Sequence, residues 1–347
     1  RMGGGHFLLV ANEPCSRERW QWLAEALAES IARPILNPGG GTLRLWPRLA
    51  LMRAVRGEGA DAMFERLAET LERARHETGR RLLWVDGEMS LAGRSGALLD
   101  ADLIAALDRD EIRVLFQPQF DTATDALVGA EALARWQHPG LGRIGAGALF
   151  AIAERADHVA QLSRHIAQRA LRSAARWPAG LRLSLNVTPA DLSAANFAND
   201  LAAIIKEEGF EAERLTLEIT EQALLTDIDR SARTLRNLVD LGIRVALDDF
   251  GAGFCNFRYL KLLPLHYLKL DRTMIEDILI DSRDLAVFHG IVAMAHALDL
   301  AVIAEGVENE EQRKLVAREG CAAYQGFLRA KPMDAEDFLV LTGREAA

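Results

Sequence analysis

The sequence of 347 residues has little cysteine, and Cys15, Cys255 and Cys321 form no CxxC pair. An odd, scattered set excludes a disulfide framework and a thiolate zinc site, and it fits a reducing, cytoplasmic compartment. No Lys/Arg tract or basic stripe is present, and the net charge is −9, so the chain is not built to hold a polyanion by bulk electrostatics. A phosphate ligand would have to be held locally, through metal. No signal peptide stands at the start, and the most apolar stretch, 286–307, is broken by His289, His296, Asp299 and Glu305, so it is no membrane span. The eight histidines show no H-x-H or H-E-x-x-H spacing, and neither a Gly-x-Ser-x-Gly elbow nor a Walker loop occurs. No internal repeat or low-complexity tract is seen. The first residue is Arg1, and a fragment of a longer, sensor-linked or membrane-anchored protein is expected.

What is present is an apolar half of the chain, enough for a full core, laid out in alternating short strands and amphipathic helices from about residue 112 onward. Eight strands are predicted, at 113–119, 126–133, 182–187, 214–220, 244–248, 267–270, 301–305 and 322–327. Helices at 221–241, 282–298 and 309–319 are long enough for right-handed crossovers. The expected fold class is α/β, a (β/α)8-type barrel. The first two strands are separated by a turn too short for a parallel crossover, so they pair as a hairpin and one strand of the barrel is antiparallel. The first hundred residues read as a smaller, partial α/β unit: strand 6–10, helix 16–31, strand-like segment 43–54, helix 59–77 and strand 81–85. A helix at 92–109 joins the two parts.

Acidic and amide residues recur at the C-terminal ends of successive predicted strands: Glu131, Asn186, Glu218, Asp248 with Asp249, then Lys269, Glu305 and Gln325. A barrel gathers such positions on one rim. Each alone reads as well as a helix cap or structural hydrogen bond; their recurrence at the same end of successive strands does not. Adjacent Asp248 and Asp249 repel unless a cation or hydrogen-bond network compensates them. An oxygen-only donor set favours Mg²⁺ or Mn²⁺ over zinc.

The run Glu131-Ala132-Leu133-Ala134-Arg135-Trp136 resembles the signature of the EAL domain, a cyclic di-GMP phosphodiesterase of bacterial signalling. The tripeptide also occurs at Glu25-Ala26-Leu27, in the predicted N-terminal helix, where it carries no such meaning. The second copy is framed, in family order, by Phe116-Gln117-Pro118, Trp136-Gln137-His138-Pro139, Asn186-Val187-Thr188-Pro189, Glu218-Ile219-Thr220-Glu221, Asp248 to Gly253, Lys269-Leu270-Asp271, Ala304 to Glu308 and Gln325-Gly326-Phe327.

The resemblance implies two Mg²⁺ or Mn²⁺ ions per site: one held by Glu131, Asn186, Glu218 and Asp248, the second reached by Asp248 and Asp249. It implies that Lys269 and Glu305 position the attacking water, with Glu305 a candidate base, and that Gln325 steadies that region. Gln117, Leu133 and Arg135 would contact cyclic di-GMP, and Glu221 would anchor the loop after Asp249 that leads to a homodimer interface. The implied reaction is hydrolysis to linear pGpG by two-metal activation of water. A silent cyclic di-GMP-binding sensor and a protein-interaction scaffold are the alternatives. Gly145-Ala146 stands where the family has Ser-Pro, and 254–257 departs from the family's aromatic and two serines. Residues 1–7 resemble a decayed GGDEF signature, with Gly5 and His6 in place of its acidic pair, and 63–80 resembles the last helix of that cyclase domain. The expected organisation is a degenerate GGDEF-like part at 1–91, a helical linker at 92–110 and an EAL domain at 111–347. Whether the GGDEF remnant binds GTP stays open.

Overall fold

A strand buried on both faces reads as an apolar run, and a strand with one wet edge alternates; both patterns occur here. The structure, a computed structural model, describes residues 7–10, 17–32, 35–36, 42–43, 45–52, 60–76, 82–85, 96–139, 142–220, 228–251, 257–276 and 278–345. The alternating segment is β1, Ile112–Asp121, in which Ile112, Val114 and Phe116 are buried. The Phe116 ring lies 5.1 Å from Trp177 and 6.0 Å from Phe338, so this face packs under the surrounding helices. The opposite face, with Gln117 and Gln119, therefore points into the barrel.

β1 pairs antiparallel with β2, Leu127–His138, from Ile112 opposite Trp136 to Phe120 opposite Leu127. The Asp121 carboxylate ties the turn by accepting from the Ala123 and Thr124 backbone N–H groups and the Thr124 hydroxyl. Six further strands follow: β3 Arg182–Val187, β4 Leu215–Thr220, β5 Arg244–Phe250, β6 Tyr267–Leu270, β7 Ala301–Ala304 and β8 Ala323–Gln325. Neighbours from β2 to β8 run parallel, and β8 returns antiparallel to β1, closing an eight-stranded barrel. β1 is the one reversed strand, as the short hairpin turn requires. A ninth short strand, Gly142–Ile144, adds to the edge of β2.

The predicted helices appear as Ile228–Val239, Ser282–Ala297 and Glu310–Arg318. Their buried residues fall at helical spacing, as with Ala232, Leu235 and Leu238, so each lays one stripe on the barrel. No helix among the described residues is long and apolar enough to cross a membrane.

The chain divides into two compact units, residues 1–95 with 139–143, and residues 96–138 with 144–347. In the first, Leu49–Leu51 and Leu82–Trp84 pair parallel on either side of helix Ala60–His76, and Ile35–Leu36 pairs antiparallel with Thr42–Leu43. The strand expected at 6–10 is not formed over 7–10, where Phe7, Leu8, Leu9 and Val10 are exposed. Strand propensity is realised on a half-buried, packed surface, and these four side chains are exposed. The joining helix is Gly96–Asp108, in the second unit, where Asp100 pairs with Arg155 at 2.6 Å.

Gly129 on β2 faces Arg182 on β3, and a Cβ there would stand 2.4 Å from the Arg182 carbonyl oxygen. Backbone cannot yield as a side chain would, so Gly129→Ala is expected to cost on the order of 1–3 kcal/mol, read as a lower denaturant midpoint. Gly147→Ala, in open space on a helix, should be neutral or stabilise by about 0.5 kcal/mol. Equal midpoints for both variants would contradict this packing.

Candidate active site

Successive residues on a strand face opposite sides of the sheet, so Asp248 and Asp249 need a backbone irregularity to serve one site. β5 supplies it. Against β6, Leu247 pairs with Leu268 and Phe250 with Leu270, so Asp248 and Asp249 together stand opposite Lys269. This β-bulge places Asp249 at φ 54°, a left-handed conformation that aspartate tolerates better than most residues. The Asp249 backbone N–H donates to Asp248 Oδ1 at 2.9 Å.

Lys269 is fully buried, and its Nζ meets carboxylates from four different barrel segments. It lies 2.6 Å from Glu218 Oε2 on β4 and 2.7 Å from Glu305 Oε1 just past β7. Asp248 Oδ1 on β5 is at 3.0 Å and Glu131 Oε2 on β2 at 3.5 Å. Glu131 is further fixed by two amides: Asn186 Nδ2 donates to Oε1 at 2.8 Å, and Gln325 Nε2 to Oε2 at 2.8 Å. Gln119 Nε2 in turn donates to Gln325 Oε1 at 3.0 Å. Glu218 Oε1 is buried and has no hydrogen-bond partner.

Four carboxylates thus surround one ammonium, with Asp249 next in the chain to one of them, and proton affinities are displaced accordingly. Burial pushes the Glu218 carboxyl well above its usual range, Lys269 opposing and Glu131 and Asp248 reinforcing. Burial likewise pushes Glu305 up to about 8 against the pull of Lys269, with Asp248 and Glu131 adding repulsion. Desolvation, then Asp248 and Asp271, raise Asp249 to about 6. For Glu131 burial is outweighed by Lys269 and the amides of Gln325 and Asn186, and its carboxyl stays below the usual range. Lys269 is held strongly protonated: burial opposes, but Glu131, Glu218, Glu305 and Asp248 prevail.

Ligand atoms of Glu131, Glu218 and Asp248 lie within 4.8 Å of one another, and so do those of Asp248, Asp249 and Glu305. Two overlapping oxygen clusters sharing Asp248, with a leftover buried oxygen on Glu218, suit hard divalent cations that take six or more oxygens.

Of the residues singled out in the sequence, Glu131, Asn186, Glu218, Asp248, Asp249, Lys269, Glu305 and Gln325 come together here. Leu133 and Arg135 follow Glu131 on the same face of β2, less buried than it, and Gln117 stands opposite Glu131 across the hairpin. Arg135 Nη1 donates to the Ala134 carbonyl at 2.8 Å. Glu221 and the loop 252–256, with Cys255, lie outside the described residues. Gln119 was missed, although it shares the inward face of β1 with Gln117, two positions away.

The sequence pattern that describes the EAL domain matches residues 100–332. The chain belongs to the EAL family. It is 31% identical over 353 residues to the bifunctional diguanylate cyclase/cyclic di-GMP phosphodiesterase MucR of Pseudomonas aeruginosa, covering 98% of this chain and 50% of that protein. It is 34% identical over 239 residues to the cyclic di-GMP phosphodiesterase NbdA of the same organism, covering 68% of this chain and 30% of that one. A solved MucR phosphodiesterase structure in complex with c-di-GMP superposes with TM-score 0.66 at 34% identity, covering 70% of this chain and 100% of that one. This EAL chain spans about half the length of the curated relatives it matches.

The displaced carboxyls of the EAL site make a pH prediction for the metal-free protein. Between about 4.5 and about 8 the unfolded chain has lost the Glu305 proton and the folded chain keeps it, so Glu305 removes stability as pH rises and the loss levels off above about 8. His165 and His266, held below the usual range by burial, contribute the opposite slope and are common to both proteins compared. In EDTA, the thermal midpoint of wild type should therefore fall more steeply from pH 5 to pH 8 than that of Glu305→Gln. Parallel curves would contradict the environment assigned to Glu305.

Proposed function

We propose that this chain is a metal-dependent phosphodiesterase that hydrolyses cyclic di-GMP to linear pGpG. The observation that carries the reading is the complete set of rim acids, converging around Lys269 with one Glu218 oxygen left without a partner. Glu131, Asn186, Glu218 and Asp248 would hold one Mg²⁺ or Mn²⁺ ion, and Asp248 and Asp249 a second. Such ions, when bound, acidify water and neutralise charge on the entering and leaving oxygens of an in-line displacement.

The chain's own residues do the rest. Glu305, 2.7 Å from the Lys269 ammonium, would take the proton of the attacking water; cations held beside it would favour its ionised, proton-accepting form. Lys269 holds Glu305 at 2.7 Å and Asp248 at 3.0 Å, so acceptor and ligand keep a fixed spacing. Gln325 restrains Glu131, and Gln119 restrains Gln325. Arg135, Leu133 and Gln117, half-buried beside Glu131, offer a guanidinium for phosphate, an apolar surface for a base and an amide for its edge. The water oxygen bonds to phosphorus as the bond to the 3′-oxygen breaks, opening the ring. No protein nucleophile is required.

The wider organisation is part of the same proposal: a degenerate GGDEF-like part at 1–91, a linker at 92–110, an EAL domain at 111–347, a homodimer through the EAL domain, Glu221 as anchor of the loop after Asp249, and a cytoplasmic site of action. GTP at the GGDEF remnant is tested by turnover with and without the nucleotide. A silent cyclic di-GMP sensor or a scaffold is expected to have shed site acids, and none is missing here.

Incubation with cyclic di-GMP and Mn²⁺ should give pGpG by chromatography. Tight binding without product would overturn the reading in favour of a sensor. Glu131→Ala should lower turnover by more than about 100-fold with the fold retained, and Gln119→Ala, acting through Gln325, by about 10–100-fold. Undiminished turnover in Glu131→Ala would displace the ligand assignment, and in Gln119→Ala the role given to the Gln119–Gln325 pair.

A further inference from the structure

Lys269 is more than a charge near the site. Its Nζ touches all three members of the Glu131, Glu218, Asp248 cluster and reaches Glu305 of the second, so the ammonium already sits on the oxygens that a cation would use. We propose that Lys269 is a built-in placeholder cation: it occupies these oxygens in the metal-free chain, competes with the divalent ion for them, and gives up Glu218 when the ion enters. This rests on the metal-dependent reading above.

Three observations support it. A fully buried ammonium is tolerated only when paired, and here the pairing is with the proposed metal ligands themselves. Glu218 is divided, with Oε2 at 2.6 Å from Nζ and Oε1 buried without a partner, so the lysine satisfies half of a group suited to a larger oxygen demand. The third is the choice of residue. The chain has 36 arginines and only five lysines, and lysine stands where the charge must share its place. An ammonium is a compact point charge on a flexible stem and can retreat along it; a guanidinium locks into a planar fork. The consequence is a metal-free barrel mouth whose repulsion is partly offset, and a metal affinity lower than the acids alone would give.

The experiment is Mn²⁺ binding by calorimetry to the full chain, wild type and Lys269→Met, at neutral pH. Removing a unit charge some 3 Å from the ligand oxygens should tighten Mn²⁺ binding by tenfold or more, on the order of magnitude set by screened Coulomb interaction. Metal-free Lys269→Met should melt below wild type, and Mn²⁺ should raise its melting temperature by the larger increment. Equal or weaker binding by Lys269→Met overturns the proposal and leaves the metal reading intact. No Mn²⁺ uptake by either protein overturns both.

A measurement on wild type covers a variant that does not fold. With ¹⁵N-labelled lysine, the Lys269 ammonium is distinguished by slow proton exchange, because the other four lysines are exposed. Addition of Mg²⁺ should shift that signal and speed its exchange. An unchanged Lys269 signal while calorimetry records Mg²⁺ binding would overturn the proposal.

Discussion

The Lys269 ammonium among four carboxylates is the interaction on which the barrel mouth depends. Glu131, Glu218, Asp248 and Glu305 arrive from separate strands, and a closed barrel can bring them together only if something offsets their repulsion. One buried lysine is too little charge for five acids, so Glu218, Glu305 and Asp249 hold their protons to higher pH than free carboxyls. That residual imbalance is what a divalent cation would relieve. The atoms that offset one another here are the ones such a cation would use, and the neutral amides of Asn186, Gln325 and Gln119 keep them aligned.

Two backbone devices make this arrangement possible. The β1–β2 hairpin reverses one strand and sets Gln117 opposite Glu131, so the inward face of β1 contributes amides to the rim. The bulge in β5 sets two acids against one residue of β6 and turns both toward the same mouth. Asp249 takes a left-handed conformation at that bulge, one that Asp110, Asp125, Asp157 and Asp299 also adopt in this chain.

Most of this is legible in the sequence. The eight strands, the reversed β1 and the rim residues follow from apolar runs, turn length and the recurrence of acids at strand ends. Three things did not follow. The bulge is invisible in composition, since two adjacent acids at a strand end imply no register; only the register against β6 reveals it. The fan of four acids around Lys269 depends on barrel closure between residues up to 138 positions apart, which no local pattern encodes. Gln119 sat within a correctly placed strand, but its partner Gln325 is 206 positions away. At residues 7–10 the apolar run predicts a strand and the structure has none, its four side chains being exposed rather than packed on a half-buried sheet.

Where a divalent cation binds decides the role of this cluster. Anomalous diffraction from crystals grown with Mn²⁺ tests this most directly. The expected result is a peak bounded by side-chain oxygens of Glu131, Asn186, Glu218 and Asp248, a second against Asp248 and Asp249, and Lys269 Nζ moved off Glu218 Oε2. Manganese bound away from these residues, or none bound with the Lys269 contacts unchanged, would contradict it.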